Sequence, residues 1–384
     1  MKVVMISKAL VVGAYQRKLE ELARRPDIDL ACVVPPSWRQ DGRDLKLQPA
    51  FTEGYELIVE PIRWNGNFHV FYFPGLGKQL SRLRPDLVHV DEEPYNLATF
   101  LATRLAVRHG AQPLFFTWQN LYRRYPPPFR WFERYVLRHA RHAIAGSVEA
   151  AKVLRLKGYE GPVAVIPQFG VDPSQFSPRA PAPRPMPANT GGKAECAFTI
   201  GYVGRLVEEK GLWVLLEAVS RLEGEWRLEL FGNGPLEAPL VNRAAALGLH
   251  QRVAVRQAVP STRVPDQLRR LDVLVLPSLT RPNWKEQFGR VLVEAMACGV
   301  PVVGSLSGEI PNVIGEAGLR FPEGDAAALR ACLTELMESQ ERRSELGALG
   351  RARVLERFTH EKIAEATHRV YREMMGRGQP TLVG

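Results

Sequence analysis

Residues 273–304 read VLVLPSLTRPNWKEQFGRVLVEAMACGVPVVG, and the pattern is that of a strand, a loop, a helix and a second strand. The apolar run 273–277 is too short for a helix and ends on a proline, which predicts a buried strand. A polar loop then carries Glu286, and a helix starts near Phe288 and runs to 297. Gly299 and Pro301 are the stop signals that end it. A second apolar run over 300–304 predicts the next strand. Two short, continuously apolar strands joined by a helix form a parallel pair that needs cover on both faces.

The same alternation extends in both directions. Strands are predicted over 198–203, 227–231 and 253–256, with helices over 211–221, 236–247 and 265–271. Nearer the N-terminus, strands are predicted over 3–7, 30–34, 87–90, 114–117, 143–145 and 163–166, with a helix over 16–24 after the first. Between the two series lies PSQFSPRAPAPRPMPANTGG, residues 173–192, too rich in proline, alanine and glycine to hold a regular element. The expected organisation is a domain over 1–172, a linker over 173–196, a second domain over 197–357 and a last helix over 358–376. The fold class is α/β, with two doubly wound Rossmann-like domains facing a cleft. Ligands of such sheets bind beyond the carboxyl ends of the strands, so function is expected on the loops that follow strands.

Composition narrows the class. A chain of 384 residues, 45% hydrophobic and 24% charged, has room for two ordinary cores. No apolar run reaches the ~20 residues that span a bilayer. Lys8, Arg17 and Lys18 break up the N-terminal apolar stretch, which reads as a first strand rather than a signal peptide. The expected compartment is the cytoplasm, with a peripheral place on the inner face of the membrane as the alternative. Cys32, Cys196, Cys298 and Cys332 are too scattered for a disulfide framework or a zinc site, and read as reduced thiols. The net charge of +10 favours anionic partners, but the arginines are too dispersed to select one.

The chemistry-bearing residues fall on the predicted loops. Gly289 opens the helix after Glu286 and clears space where free N–H groups could receive a phosphate. Glu286 and Glu294, eight residues apart, can flank a ligand there. Gly204-Arg205-Leu206-Val207-Glu208-Glu209-Lys210-Gly211 follows the strand over 198–203, and Arg205 and Lys210 can place two cations on a diphosphate. Phe231-Gly232-Asn233-Gly234-Pro235 follows the next strand. It also suits a dinucleotide, but position 237 is Glu where that fingerprint wants Gly.

These motifs carry a resemblance. The string E-Q-F-G-x-x-x-x-E-A-x-A-C-G-x-P-V from Glu286 resembles the E-x7-E motif of family 4 glycosyltransferases, which are retaining, metal-independent enzymes of the GT-B fold. Gly204–Gly211 resembles the family's G-R-L-x-x-x-K-G segment, and Gly232–Pro235 its G-x-G-P turn. Ile166-Pro167-Gln168-Phe169-Gly170-Val171-Asp172 resembles the I-P-N-G-V-D segment that closes the first domain. Ser307-Gly308-Glu309-Ile310-Pro311 resembles its later glycine-rich turn, and residues 358–375 its last helix. The resemblance implies that Glu294 holds the donor ribose and that Arg205 and Lys210 hold the diphosphate. It implies that Glu286, with the backbone of Gln287, Phe288 and Gly289, holds the sugar and the distal phosphate. Gly204 and Gly232 would border the donor, and Gly13 would face the diphosphate or the acceptor from the first domain. The implied substrate is a nucleoside-diphosphate sugar, with no separate cofactor and no catalytic metal. The implied reaction is sugar transfer to a hydroxyl of a glycan, a glycolipid or another cell-surface precursor.

The chain departs from the family at Thr117-Trp118-Gln119-Asn120. Gln119 stands where many relatives have a histidine, and an amide can position a hydroxyl but cannot exchange its proton. Glu92 and Glu93 follow the strand over 87–90 and are expected on the acceptor side with Gln119, while Asp91 could equally cap a helix. Asp27 and Asp29 read as a solvated turn, and His139 and His142 as solvated among arginines. Arg130, Arg134, Arg138 and Arg141 recur at helical spacing beside Trp131 and Phe132, a stripe that could lie on anionic lipid; a cytosolic helix is the alternative. No nucleic-acid-binding module is recognised. The rival functions are a nucleotide-sugar epimerase, a phosphorylase and a non-catalytic binder that uses the basic face.

Overall fold

The computed structural model describes residues 1–40, 42–178 and 197–376. Most of the expected linker, with Cys196, lies outside the described residues. The chain divides into two compact units. One comprises Met1–Gly170 and the segment from His360 onward, and the other Val171–Thr359.

Among the described residues of the first unit, nine strands form: β1 (Lys2–Ile6), β2 (Asp29–Val34), β3 (Ser37–Gln40), β4 (Arg43–Lys46), β5 (Glu56–Val59), β6 (Leu87–Val90), β7 (Gln112–Thr117), β8 (His142–Ala145) and β9 (Val163–Val165). Seven of them make a parallel sheet in the order β5-β2-β1-β6-β7-β8-β9, and β3 and β4 pair as an antiparallel hairpin. Helices α1 (Arg17–Ala23), α2 (Leu76–Leu83), α3 (Leu97–Arg108), α4 (Phe129–His139) and α5 (Val148–Leu156) connect them. Successive side chains of β1 serve opposite faces, as the two-residue strand period requires. Val4 and Ile6 pack with Leu76, Leu80 and Ala102, whereas Val3 and Met5 pack with Leu19, Leu22 and Ile363. The last helix, His360–Met374, thus closes one face of this sheet, and the buried Tyr371 hydroxyl lies 2.7 Å from Nδ1 of His89.

The fold corrects several sequence expectations. The helix expected over 16–24 is preceded by a 3-10 turn over Gly13–Gln16. His142 is buried, because it opens β8, and its Nδ1 sits 2.9 Å from the Ala143 carbonyl oxygen. Asp27 lies in the turn before β2, 2.8 Å from Nε2 of His368, and the exposed Asp29 opens β2, 3.3 Å from the Lys2 ammonium. Asp91 caps no helix; it is buried after β6 and accepts hydrogen bonds from Ser7 Oγ and Gln168 Nε2.

The second unit is a six-stranded parallel sheet of β10 (Phe198–Val203), β11 (Trp226–Phe231), β12 (Val253–Arg256), β13 (Val273–Leu276), β14 (Val302–Ser305) and β15 (Leu319–Phe321), ordered β12-β11-β10-β13-β14-β15. Helices α6 (Leu212–Ser220), α7 (Glu237–Ala246), α8 (Val264–Leu268), α9 (Arg290–Ala297), α10 (Ile310–Ile314), α11 (Ala326–Glu338) and α12 (Gln340–Arg357) cover it around one continuous apolar core. Both sheets reverse their strand order once, at β1/β6 and at β10/β13. The crevices beyond the carboxyl ends of those strand pairs are where open α/β sheets bind ligands. Among the described residues, no helix is long and apolar enough to cross a membrane.

Candidate active site

The switch point of the second unit brings together two loops, one after β10 and one after β13. Lys210, from the first, places its Nζ 2.5 Å from Oε2 of Glu286, from the second. Ser278 Oγ donates to the same carboxylate oxygen at 2.8 Å. The Lys210 ammonium also lies 4.9 Å from the centroid of the Trp284 ring, close enough for a cation–π contact. Both side chains of the pair are largely out of solvent. An ammonium has three donors, so a lysine oriented by Glu286 and Trp284 can still offer N–H groups to a ligand.

Backbone packing fixes the loops that carry these groups. A Cβ at Gly232 would stand 1.8 Å from the Gly204 carbonyl oxygen, so only glycine lets the turn after β11 approach the loop after β10. Gly204 N donates to the Phe231 carbonyl at 3.0 Å, and Leu206 N to the Asn233 carbonyl at 3.0 Å. Tyr202, fully buried in β10, donates its hydroxyl to the Arg205 carbonyl at 2.7 Å. Gly308, at φ +55°, packs against the Glu286 backbone, where a Cβ would meet the Glu286 carbonyl at 2.0 Å. Glu309 N donates to that same carbonyl at 3.2 Å.

Gly289 is not in the first turn of α9 but precedes it, at φ +77°. That left-handed conformation turns the loop into the helix, and a side chain there would be strained. Phe288 packs its ring edge-on to Phe358, with centroids 5.8 Å apart. Gln287 is exposed beside it. Glu294, one turn into α9, accepts a hydrogen bond from Arg290 Nε at 2.8 Å. Burial pushes its carboxyl above the ordinary range, and Arg290 opposes the shift. Arg205 is exposed and pairs only loosely with Glu209, at 3.4 Å. A cavity of about 270 Å3 opens between the loops after β10 and β11, bordered by Gly204, Arg205, Gly232, Ala258, Val259 and Val264.

The first unit builds a similar pair at its own switch point. Lys8, after β1, forms an ion pair with Glu92, after β6, and the Lys8 backbone N–H donates to the other carboxylate oxygen at 2.9 Å. The Lys8 ammonium lies 4.5 Å from the Phe68 ring centroid and 5.3–5.4 Å from those of Phe71 and Trp38. Glu93 is buried and accepts from Thr117 Oγ1 at 2.6 Å and Trp118 N at 2.8 Å. Burial raises its carboxyl to about 7, against those two hydrogen bonds. Gln119 Nε2 donates to the Tyr125 hydroxyl at 3.3 Å, and Tyr125 stacks on Tyr95. Gly13 is buried, and a Cβ there would meet the Gln48 carbonyl at 2.6 Å. Gly13 is therefore explained by close packing against the segment around Gln48.

Sequence reasoning missed Lys8, Ser278, Trp284 and Tyr202. Lys8 and Ser278 each follow a strand directly or nearly so, a position that marks them as candidates by topology alone. Trp284 and Tyr202 carried no signal, because an isolated aromatic is read as core. Among the described residues, no group of three His, Cys, Asp or Glu is placed to hold a metal ion.

The chain matches two family models, Glycosyltransferase Family 4 over residues 14–175 and Glycosyl transferases group 1 over residues 189–353. It is 30% identical over 220 residues to the alpha-maltose-1-phosphate synthase of Mycolicibacterium smegmatis, covering 53% of this chain and 55% of that protein. It is 28% identical over 334 residues to the amylovoran biosynthesis glycosyltransferase AmsK of Erwinia amylovora, covering 78% and 75%. The chain spans about half the length of most of the curated relatives it matches. In fold it is similar to Anabaena HepE, solved in complex with UDP, with a TM-score of 0.70 at 17% identity over 97% of this chain and 100% of that one. With both units matched by models of the same kind, the chain belongs to the glycosyl transferases of group 1 and family 4, on the two Rossmann-like units of the GT-B fold.

Proposed function

We propose that the protein transfers a sugar, with retention of anomeric configuration and without a catalytic metal, from a nucleoside-diphosphate sugar to an acceptor hydroxyl of a glycan, glycolipid or cell-surface precursor. The observation that carries this reading is the Lys210–Glu286 pair at the switch point of the second unit, with Glu294 eight residues further along, one turn into α9. A diphosphate seated there meets an ammonium already oriented, so little side-chain entropy is lost on binding. HepE holds UDP on the same fold, which supports a nucleoside diphosphate as the leaving group. The cavity beside Gly204 and Gly232 would take the base, and Glu294 the ribose.

In the reaction the bond from the anomeric carbon to the diphosphate breaks, and its electron pair leaves with the phosphate oxygen. Lys210, Arg205 and the positive end of the α9 dipole stabilise the charge that develops. The acceptor hydroxyl attacks the same face, and its proton departs with the diphosphate. Gln119, which cannot exchange protons, would orient the acceptor together with Glu92 and Glu93.

The test is turnover with UDP-, GDP- and ADP-sugars by the wild type and by Glu286→Gln. The reading requires a glycosylated product whose formation the substitution largely abolishes. Sugar conversion without an acceptor would show an epimerase instead, and dependence on inorganic phosphate a phosphorylase.

A further inference from the structure

A cavity of about 1290 Å3 in the first unit lies along α4, away from that unit's switch point. Six exposed arginines border it: Arg123, Arg124, Arg130, Arg134, Arg138 and Arg141. Arg130, Arg134 and Arg138 are four residues apart on one helix, which spaces them by about 6 Å along its axis. Among the described residues, only two acids border the recess, Glu133 and Glu160. Glu133 is neutralised at the base by the buried Lys157. No carboxylate pairs with Arg124, Arg130, Arg134, Arg138 or Arg141 among the described residues. Such a row repels itself unless an anion lies in it.

Aromatic and apolar groups are interleaved with the charge. Tyr122 and Leu156 border the recess and are 48% and 70% exposed, and Tyr125 lies under the Lys157 ammonium at 4.9 Å. The sequence suggested that this stripe could lie on anionic lipid. The arginines instead line a concavity, and the exposed Leu156 sits within it. A flat bilayer surface fits that shape less well than a single extended chain.

We propose that this recess binds an acidic oligosaccharide, with the arginines on its carboxylate or phosphate groups and Tyr122 and Leu156 against its sugar faces. Arginine forks suit such planar anions because they can bind them bidentately. The choice of a sugar chain over other polyanions rests on the transfer reading above.

The test uses the full chain and calorimetry with a galacturonic acid hexamer. Neutral maltohexaose, phosphatidylglycerol vesicles and a single-stranded oligonucleotide are the comparison probes. The acidic hexamer should bind at least about tenfold tighter than maltohexaose. R134Q/R138Q should lower its affinity by about tenfold or more, as loss of two charge-assisted contacts implies. Removing two exposed arginines elsewhere, in R104Q/R243Q, should change it less than about twofold by comparison. Equal binding of maltohexaose, or equal loss in both variants, would overturn the proposal. So would vesicle or oligonucleotide binding that depends on Arg134 and Arg138 when the acidic hexamer does not bind. Titration of UDP, GDP and ADP separates the two readings. Hexamer binding through Arg134 and Arg138 without any nucleotide binding supports the recess and sinks the donor site, and the converse pattern sinks the recess alone.

Discussion

Lys210 and Glu286, 76 residues apart in the chain, meet with their charged atoms 2.5 Å apart at the point where the sheet of the second unit reverses its strand order. Lys8 and Glu92 meet at the corresponding point of the first unit, 84 residues apart. In each case the lysine comes from the loop after the unit's first strand, and the glutamate from the loop after the strand added on its other side. The two pairs differ in how they are sealed. Lys8 has three aromatic rings around it and Lys210 has one, so Lys210 is the better placed to share its charge with a ligand.

That difference sets the first prediction. Lys210→Ala should weaken binding of a nucleoside diphosphate by roughly tenfold to a hundredfold, the range of a lost hydrogen bond to a charged group. Binding of the bare nucleoside should hardly change. Calorimetry with UDP, GDP or ADP and the matching nucleosides reads both. An equal loss for nucleoside and diphosphate would mean that the substitution disturbs the whole unit and that Lys210 has no phosphate role.

Glu294 makes a different kind of contact. Its carboxylate is held by Arg290 one turn earlier, at 2.8 Å, and little of it is exposed. If it receives the ribose, the wild type should bind a ribonucleoside diphosphate about tenfold tighter than one lacking a ribose hydroxyl, a difference of one good hydrogen bond. Glu294→Ala should bind both equally and weakly. Discrimination that persists in the variant would remove Glu294 from the ribose site.

The third prediction concerns Gly232, whose substitution to Ala would force a Cβ to within 1.8 Å of the Gly204 carbonyl oxygen. The loops after β10 and β11 would have to separate, at a cost of about 1–3 kcal/mol or more for an overpacked site. Gly248→Ala is the control, since nothing lies within 4 Å of a Cβ there and only its φ of +72° is strained. Urea unfolding together with nucleotide titration should show Gly232→Ala losing both stability and binding, and Gly248→Ala losing a little stability alone. Intact nucleotide affinity in Gly232→Ala would place the nucleotide elsewhere.

Most of this architecture is legible in the sequence, and the reasons for what is not are physical. The buried strand β13 announces itself as a continuous apolar run, as does β1 from Val3, and β6, β10 and β14 are nearly so, broken by His89, Thr199 and Ser305, since a parallel strand covered on both faces has no polar side. β5, with the sequence ELIV and only Ile58 buried, sits at the sheet edge and gives no such run. The β3–β4 hairpin, SWRQ and RDLK, is mostly exposed and polar. Glu286, Glu294, Lys210 and Arg205 could be named from the sequence because each lies in a local motif. Their partners could not. Ser278 and Trp284 reach Glu286 and Lys210 through space, and Lys8 reaches Glu92 only once β1 and β6 are adjacent. Gly289 shows the limit of reading conformation from composition: its place at the helix start was evident, but not that it precedes the helix in a left-handed conformation.

The last prediction follows from Glu93. Its carboxyl, ordinarily near 4.5, is raised to about 7 by burial. The folded chain therefore keeps a proton that the unfolded chain releases at lower pH. Between those two values the folded state binds more protons, so stability falls as pH rises from about 4.5 to about 7 and is level above that. The size is on the order of 3 kcal/mol, because each tenfold gain in proton affinity is worth about 1.4 kcal/mol. Glu93→Gln imitates the protonated acid, with an amide N–H for Thr117 Oγ1 and an oxygen for the Trp118 N–H. The variant should therefore lack this contribution while other buried carboxylates, such as Glu133, still titrate. Urea unfolding of both proteins at pH 5 and pH 8 checks it. The variant should gain on the wild type by most of that amount at the higher pH, and stability profiles that stay parallel would show that Glu93 is ionised throughout.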